Sequence, residues 1–177
     1  MSLKRLSVNE VLRHSMHDYL NNMHLIQMNL DLGRQEEAKK LIQAYSLKCS
    51  QFFDLNNAGL HKTNVWLQTV SWTHNKLTVE IHSYLQKNGL DKFDEPLKDY
   101  LERFVESVYA QLEGYREQLL KVEIKANERL EVHVELAGCW SPYIWVKESF
   151  KGLFSVEKEM NTESNIKFIL VGRDRLE

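Results

Sequence analysis

A helical repeat in the N-terminal third of the chain determines the predicted fold. Residues 12–30 read LRHSMHDYLNNMHLIQMNL. Apolar side chains in this stretch recur at alternating spacings of four and three, which is typical of one narrow helix face. The positions concerned are Leu12, Met16, Tyr19, Met23, Ile26 and Leu30. The pattern therefore predicts an amphipathic helix whose apolar stripe needs a helical partner.

A second stretch with the same spacing follows within a few residues. Its apolar positions are Ala38, Ile42, Tyr45, Cys49 and Phe52. Gly33 stands where the first helix needs a residue with a left-handed backbone, so the connection is short and the two helices form an antiparallel hairpin. Because two narrow stripes cannot both be buried well within one hairpin, the sequence predicts a homodimer in which two hairpins form a four-helix bundle.

Turn-forming residues between positions 54 and 62 interrupt this helical pattern. Beyond them the apolar spacing is mixed, with both helical and strand periods. We therefore expect a helical domain over residues 1–58 and a second domain over residues 59–177. The predicted fold class is α+β, with a hairpin that dimerises into a four-helix bundle, followed by an α/β sandwich.

Strict alternation of apolar and polar residues is the strongest strand signal in the second domain. It covers residues 120–126 and 130–136 on either side of a short turn, and it predicts an antiparallel hairpin with one buried face. The other expected elements are a helix at 63–75 with Thr63 as its N-cap, a strand at 79–85, a long helix opened by Asp94 and Pro96 and continuing to Tyr115, a helix at 143–153 and a strand at 166–171. The strand order does not follow from the sequence.

Composition narrows the possible function classes. The 177 residues carry a net charge of -2, which gives no electrostatic reason to expect binding to nucleic acid or to an anionic membrane. No apolar run approaches the roughly 20 residues that a membrane-spanning helix needs, and the N-terminus lacks the apolar core of a secretion signal. Cys49 and Cys139 cannot build a disulfide framework. We therefore expect a cytoplasmic protein.

The densest group of polar functional side chains lies in the first predicted helix, around His17. Because Met16 and Tyr19 belong to the apolar stripe, His17 is expected to face solvent. The carboxylate of Asp18 beside it favours the tautomer with an unprotonated Nε2, and such an imidazole suits reversible phosphoryl transfer as the nucleophile. Its neighbours on adjacent helical turns are Arg13, His14, Leu20, Asn21 and His24.

Two other interpretations of these residues stay open. His14, His17 and Asp18 have the helical spacing of metal ligands, although no second cluster supplies the remaining ligands in an obvious way. The same side chains could also be solvated polar residues on an exposed helix face. Other catalytic signatures are missing from the sequence, which contains no Walker loop, no GxGxxG, no HExxH and no nucleophile elbow.

Residues 12–30 resemble the histidine-bearing helix of the sporulation initiation phosphotransferase B family of spore-forming bacteria. The resemblance rests on LRHSMHDYLN at residues 12–21, continued by Leu25-Ile26 and Asn29-Leu30. A looser similarity covers Trp72-Thr73-His74 and the following strand, and the order of elements extends it over nearly the whole chain. The resemblance implies a dimeric phosphorelay phosphotransferase. In such a protein, His17 would accept a phosphoryl group from the aspartate of one response regulator and pass it to the aspartate of a second, sporulation-initiating regulator.

The resemblance also implies roles for the neighbours of His17. By analogy with the phosphoacceptor helices of histidine kinases, Asp18 orients His17 and Asn21 lines the transfer site. The family leads us to expect a basic residue immediately before the phosphorylated histidine, where this chain has Met16. Arg13, one helical turn earlier, is the expected substitute. The residues expected to contact the regulator are His14, Leu20 and His24.

No tightly bound cofactor is expected, because in the family the Mg²⁺ used in transfer sits in the acidic pocket of the response regulator. The second domain resembles the ATP-binding domain of histidine kinases. However, the helix expected from Pro96 to Tyr115 has no asparagine for Mg²⁺, and residues 137–140 lack the Asp-x-Gly-x-Gly turn. We therefore expect a degenerate domain that binds no ATP. The alternative function is a non-catalytic dimeric interaction module with the layout of a histidine kinase.

Overall fold

The described part of the chain contains four helices and a five-stranded mixed sheet. The computed structural model describes residues 6–109, 111–112, 118–139, 153–162 and 164–176. The chain divides into two compact units, Met1–Ser50 and Gln51–Glu177. The predicted α+β class, with a helical hairpin followed by an α/β domain, is confirmed.

The elements have the following bounds. The helices are α1 (Val8–Asp31), α2 (Gln35–Asn57), α3 (His61–Thr73) and α4 (Asp91–Tyr109). The strands are β1 (Leu77–Leu85), β2 (Gln118–Ala126), β3 (Leu130–Ala137), β4 (Phe154–Asn161) and β5 (Asn165–Gly172). The helix expected at 143–153 falls almost entirely on residues 140–152, which lie outside the described ranges, so that expectation stays a prediction.

Hydrogen bonds at both ends determine where α1 begins and ends. At the start, the backbone N–H of Glu10 donates to Ser7 Oγ over 3.2 Å and the Ser7 N–H donates to the Glu10 carboxylate over 2.8 Å, which is a capping box. At the end, Gly33 adopts a φ of +69°, and the N–H of Arg34 donates to the carbonyl of Asn29 over 2.8 Å. The predicted left-handed conformation of Gly33 is therefore confirmed.

The link from α2 to α3 depends on Gly59. Its φ is +97°, and the Leu60 N–H donates to the carbonyl of Leu55 over 3.0 Å, so α2 ends in the same type of glycine turn as α1. A Cβ atom at position 59 would lie only 2.7 Å from the Asp91 carboxylate. Position 59 therefore requires glycine for two reasons, backbone conformation and space.

Replacing Gly59 with alanine should destabilise the second unit by about 2 kcal/mol, since the left-handed strain of roughly 1 kcal/mol is increased by the clash with Asp91. The matched control is Gly89→Ala, because Gly89 has a φ of +78° but a Cβ there would meet nothing within 4 Å. We expect the control to cost about 1 kcal/mol. Urea unfolding followed by tryptophan fluorescence measures both, and equal costs would show that the Asp91 carboxylate simply rotates away.

The sheet has the strand order β1-β2-β3-β5-β4, and only the β1–β2 pair is parallel. The predicted β2–β3 hairpin is confirmed, with Leu120 opposite Leu136 and Ile124 opposite Val132. One face of the sheet is buried against α4, where the ring of Phe104 lies 5.0 Å from that of Phe168. The other face of the sheet carries the polar residues of each alternating pattern.

The expectation that Thr63 caps α3 is wrong. The helix begins at His61, and its preceding residue Leu60 makes no side-chain capping bond. The cap comes instead from Asp94, whose carboxylate accepts the backbone N–H groups of Lys62 and Thr63 over 2.8 Å each. Thr63 itself is buried, and its hydroxyl donates to the Asp94 carbonyl. A residue 31 positions away in the sequence therefore replaces the local cap.

The predicted bounds of the long helix need a similar correction. α4 begins at Asp91, three residues before Asp94, and ends at Tyr109 rather than at Tyr115, which itself lies outside the described residues. Phe93 is fully buried, so the apolar face starts one turn earlier than expected. Strand β4 is an element that the sequence analysis missed, because a bulge between Glu157 and Met160 breaks its alternation.

Candidate functional site

His17 lies near the middle of the 24-residue helix α1. Its side chain is 71% exposed, so the imidazole is accessible to an approaching protein. A helical backbone on both sides holds its Cα in a fixed position, and only the two side-chain torsions can vary. The expectation that His17 faces solvent agrees with this placement in the single chain.

Two polar side chains approach the same ring nitrogen of His17. Asp18 places Oδ1 at 3.5 Å from Nδ1, and Asn21, one turn later, places Nδ2 at 3.3 Å from Nδ1. Within the described part of the chain, the hydrogen bonds and the ion pair of His17 all involve Nδ1 and none involves Nε2. The imidazole is therefore oriented through Nδ1, while its outer nitrogen remains available to an incoming group.

The two neighbours favour opposite tautomers of His17. Asp18 can only accept a proton from Nδ1, whereas the Asn21 amide can only donate to an unprotonated Nδ1. A hydrogen bond to a carboxylate is charge-assisted and therefore stronger than one to an amide, although 3.5 Å is long for such a bond. The balance favours protonated Nδ1, which leaves the lone pair of Nε2 free for nucleophilic attack.

The other four residues of the predicted site lie on the same helix but do not hydrogen-bond to His17. Arg13 is exposed one turn before His17, and Leu20 is 53% exposed almost one turn after it. His14 is half-buried, and His24 is exposed two turns after His17. With a rise of 1.5 Å per residue, all four positions lie within about 10 Å of position 17 along the helix axis.

The metal-site interpretation gains no geometric support. Within the described ranges, no three His, Cys, Asp or Glu side chains converge as ligands of one ion would. This holds for His14, His17 and Asp18, even though their spacing along the helix is suitable.

His74, which belongs to the looser sequence resemblance, is buried in the second unit, in contrast to the exposed His17. It is only 3% exposed, and its Nδ1 lies 2.9 Å from the Thr73 hydroxyl and 3.2 Å from the Val70 carbonyl. Its ring packs edge-on against Tyr109 at 4.6 Å. Burial lowers the pKa of His74, so this imidazole is held neutral and away from solvent. It is therefore inaccessible to a protein donor, unlike His17.

Sequence reasoning missed a groove of about 490 Å³ on the polar face of the sheet. Both lysines of its lining have carboxylate partners: Lys167 Nζ lies 2.8 Å from Glu135 Oε1, which also lines the groove, and Lys121 Nζ lies 3.4 Å from Glu80 Oε2 on β1. The hydrogen bonds from Lys167 and Asn165 lower the pKa of Glu135. Alternation in the sequence indicated a polar face, but the groove depends on the strand order, which no local pattern encodes.

Comparison with known proteins identifies the helical part of the chain. Residues 2–57 match the family model described as the alpha-helical domain of the SpoOB-type sensor kinase. No curated protein matches the chain. Among the described residues, no helix combines the length and the apolar character needed to cross a membrane. The segment that matches the family model includes α1 with His17 and α2, and this match indicates a role in two-component or phosphorelay signalling. The N-terminal helical part of the chain, residues 2–57, is therefore a match to the SpoOB-type alpha-helical domain.

Proposed function

We propose that the protein is a phosphorelay histidine phosphotransferase. His17 accepts a phosphoryl group from the aspartate of one response regulator and passes it to the aspartate of a second, sporulation-initiating regulator. One observation carries the proposal: an exposed imidazole whose Nδ1 faces Asp18 and Asn21, with Nε2 left open, in a helix of the SpoOB type.

Each transfer step exchanges one bond to phosphorus for another. In the first step, the Nε2 lone pair of His17 attacks the phosphorus of an aspartyl phosphate, the bond from phosphorus to the aspartate oxygen breaks, and the carboxylate leaves. In the second step, the carboxylate of the other regulator attacks and the N–P bond breaks. Both intermediates are high-energy phosphates, so neither step requires ATP.

Asp18 acts on His17 before and after the phosphoryl group arrives. Phosphorylation at Nε2 uses its lone pair, so the proton stays on Nδ1 and the ring becomes positively charged. The carboxylate of Asp18, 3.5 Å from Nδ1, compensates that charge. With Nδ1 protonated, the Asn21 amide does not donate to it, but the Asn21 side chain beside Nδ1 still limits the rotation of the imidazole sterically. We assign to both a positioning role.

The charge on the transferring phosphoryl group needs cationic partners, and two sources supply them. The regulator contributes Mg²⁺ from its acidic pocket, so this chain needs no resident cofactor. On the side of this chain, Met16 provides no charge, and Arg13 is the cation that lies one turn from His17 on α1. The guanidinium can reach a phosphoryl group at Nε2 because its side chain is long and exposed.

Removal of this cation should slow transfer. We expect Arg13→Ala to reduce the rate of phosphoryl transfer to His17 about tenfold, which corresponds to one charge-assisted contact of roughly 1.4 kcal/mol. Arg34→Ala is the matched control, because Arg34 is an exposed arginine in the short connection that follows α1, far from His17 along the helix. Rapid-quench labelling from a phosphorylated regulator measures both rates, and equal rates for the two variants would refute the role of Arg13.

The proposed homodimer is supported by the apolar stripes of the hairpin. In the single chain these stripes leave several large hydrophobic side chains exposed, namely Leu12, Met16, Tyr19, Met23, Leu30 and Ile42. A monomeric protein rarely exposes a continuous apolar patch of this kind. Two hairpins that face each other would bury both stripes as a four-helix bundle and would leave His17 on the outside.

Sedimentation at micromolar concentration should show a dimer. Leu30→Glu should shift it towards the monomer, because a charge would be buried in the bundle. Met28→Glu is the control, since Met28 is equally exposed but lies on the opposite side of α1 from the stripe. A wild-type protein that sediments only as a monomer would contradict the four-helix bundle.

A reconstituted relay tests the proposed function against a non-catalytic interaction module. Incubation with a phosphorylated receiver domain and Mg²⁺, without nucleotide, should label this protein, and addition of a second receiver domain should remove the label. An interaction module would bind the receiver and remain unlabelled, and that result would overturn the proposal. A cytoplasmic location is part of the proposal, because its donor and acceptor regulators act there.

A further inference from the structure

The two edges of the sheet differ in how they are protected against pairing with another strand. Edge strand β4 carries a bulge between Glu157 and Met160, a common device against edge-to-edge association. Edge strand β1 has none. Its nine residues pair with β2 in an unbroken register from Leu77 opposite Gln118 to Leu85 opposite Ala126. Within the described part of the chain, no other strand pairs with the outer edge of β1.

The sequence of β1, LTVEIHSYL, is suited to pair with a second copy of itself. When two copies run antiparallel with Ile81 opposite Ile81, all nine residues overlap. In that register Glu80 of each copy lies directly opposite His82 of the other. The two-fold axis therefore produces two equivalent pairs, and in each pair the imidazole can donate a hydrogen bond to the carboxylate. Cross-strand pairs of this kind stabilise an antiparallel sheet.

Neighbouring registers lack this complementarity. Side chains alternate between the two faces of a strand, so one copy of β1 can slide along the other only by an even number of residues if inner faces are to stay beside inner faces. The two nearest alternatives therefore slide the strand by two residues in either direction. Centring the pair on Glu80 places two carboxylates opposite each other, and centring it on His82 places two imidazoles opposite each other. Two carboxylates directly opposite repel each other, and two imidazoles directly opposite lack the carboxylate partner of the mixed pair. The charge pattern therefore selects the register centred on Ile81.

The inner face of β1 also leaves apolar surface uncovered. Val79, Ile81 and Leu85 pack against the core but are only partly buried, in contrast to the fully buried Val122 and Ile124 of the adjacent strand β2. A second β1 strand alongside would cover the exposed edges of these side chains. On the outer face, Glu80 and His82 are both exposed and accessible to a partner.

We propose that the outer edge of β1 is a self-association surface that binds the β1 strand of a second copy, antiparallel about Ile81. This contact is separate from the proposed hairpin dimer and from phosphoryl transfer. A single strand pair buries less than the roughly 1,200 Å² of a stable interface, so we expect a weak, concentration-dependent contact. Disulfide trapping is the appropriate method, since it captures such an association.

The first experiment uses one cysteine on the two-fold axis. The full chain with Cys49→Ser and Cys139→Ser serves as the background. In it, Ile81→Cys gives each copy one cysteine on the axis, and the Cα atoms of the two cysteines lie about 4.5–5.5 Å apart, within reach of a disulfide. The control is Thr78→Cys, which faces Tyr84 of the other copy and lies about 20 Å from its own counterpart. Under mild oxidation we expect Ile81→Cys to form cross-linked dimers at least tenfold faster than Thr78→Cys. Equal rates would overturn the proposal.

The second experiment uses only exposed positions, so that it does not depend on how well the Ile81 variant folds. Chains with Glu80→Cys and chains with His82→Cys, mixed in equal amounts, should form mostly the mixed disulfide, because position 80 faces position 82. Random collision would give the mixed species as only half of the product. A statistical mixture, or no cross-linking at all, would show that β1 does not bind a second copy in this register.

Discussion

Replacement of His17 by glutamine should abolish phosphorylation of this protein by a phosphorylated response regulator. Glutamine keeps a polar side chain of similar length on an exposed helix position, so the change should not disturb α1. It removes the lone pair of Nε2, however, and a carboxamide cannot take its place as nucleophile. We expect labelling to fall below detection, while binding of the regulator persists.

Two histidines on the same helix provide matched controls for that experiment. His14 and His24 lie one turn before and two turns after His17, and each can be changed to glutamine in the same way. We expect both variants to retain labelling, with a reduced rate only if these side chains contact the regulator. Loss of labelling in His14→Gln or His24→Gln with retention in His17→Gln would assign the phosphate to a different residue.

Asp94→Ala should have the largest effect on stability. Asp94 is 6% exposed, and its carboxylate accepts the N–H groups of Lys62 and Thr63 at the start of α3 over 2.8 Å each. Alanine would leave both donors without this partner, next to a buried threonine. A lost helix cap costs about 1 kcal/mol and an unsatisfied buried donor about 1–3 kcal/mol, so we expect a loss of about 3 kcal/mol.

The control for Asp94 is Asp99→Ala, because Asp99 lies on the same helix but is 40% exposed and pairs only with the neighbouring Lys98 among the described contacts. Its loss should cost less than about 0.5 kcal/mol. Urea unfolding followed by tryptophan fluorescence suits both variants, since all four tryptophans lie beyond residue 50. If the two variants lose similar stability, the carboxylate of Asp94 does not cap α3.

The fold could be predicted from sequence where one continuous local pattern decides it. The α1 stripe, the left-handed Gly33 and the alternating strands β2 and β3 each follow from residues that are close together in the chain. The start of α3 could not be predicted, because its cap is supplied by Asp94 from another helix. Strand β4 was missed because its bulge disturbs the period of two that identifies a strand.

The proximity of three candidate-site residues could be predicted for the same reason. His17, Asp18 and Asn21 lie within one helical turn, so their proximity follows from the helix period alone, and the structure brings their side chains together. The groove on the sheet and the unpaired edge of β1 depend on strand order. Strand order is determined by contacts between distant segments, which leave no local signal in the sequence.

The chemical nature of the phosphorylated residue tests the central claim most directly. The protein would be labelled by a phosphorylated receiver domain with Mg²⁺, and the product would be examined by ³¹P NMR and by mapping of the modified peptide. We expect one phosphoryl group on Nε2 of His17, labile in acid and stable in base, because Nδ1 faces Asp18 and Asn21. A phosphate on Nδ1, on a carboxylate or on any other histidine would contradict the account, and so would a protein that binds the receiver without being phosphorylated.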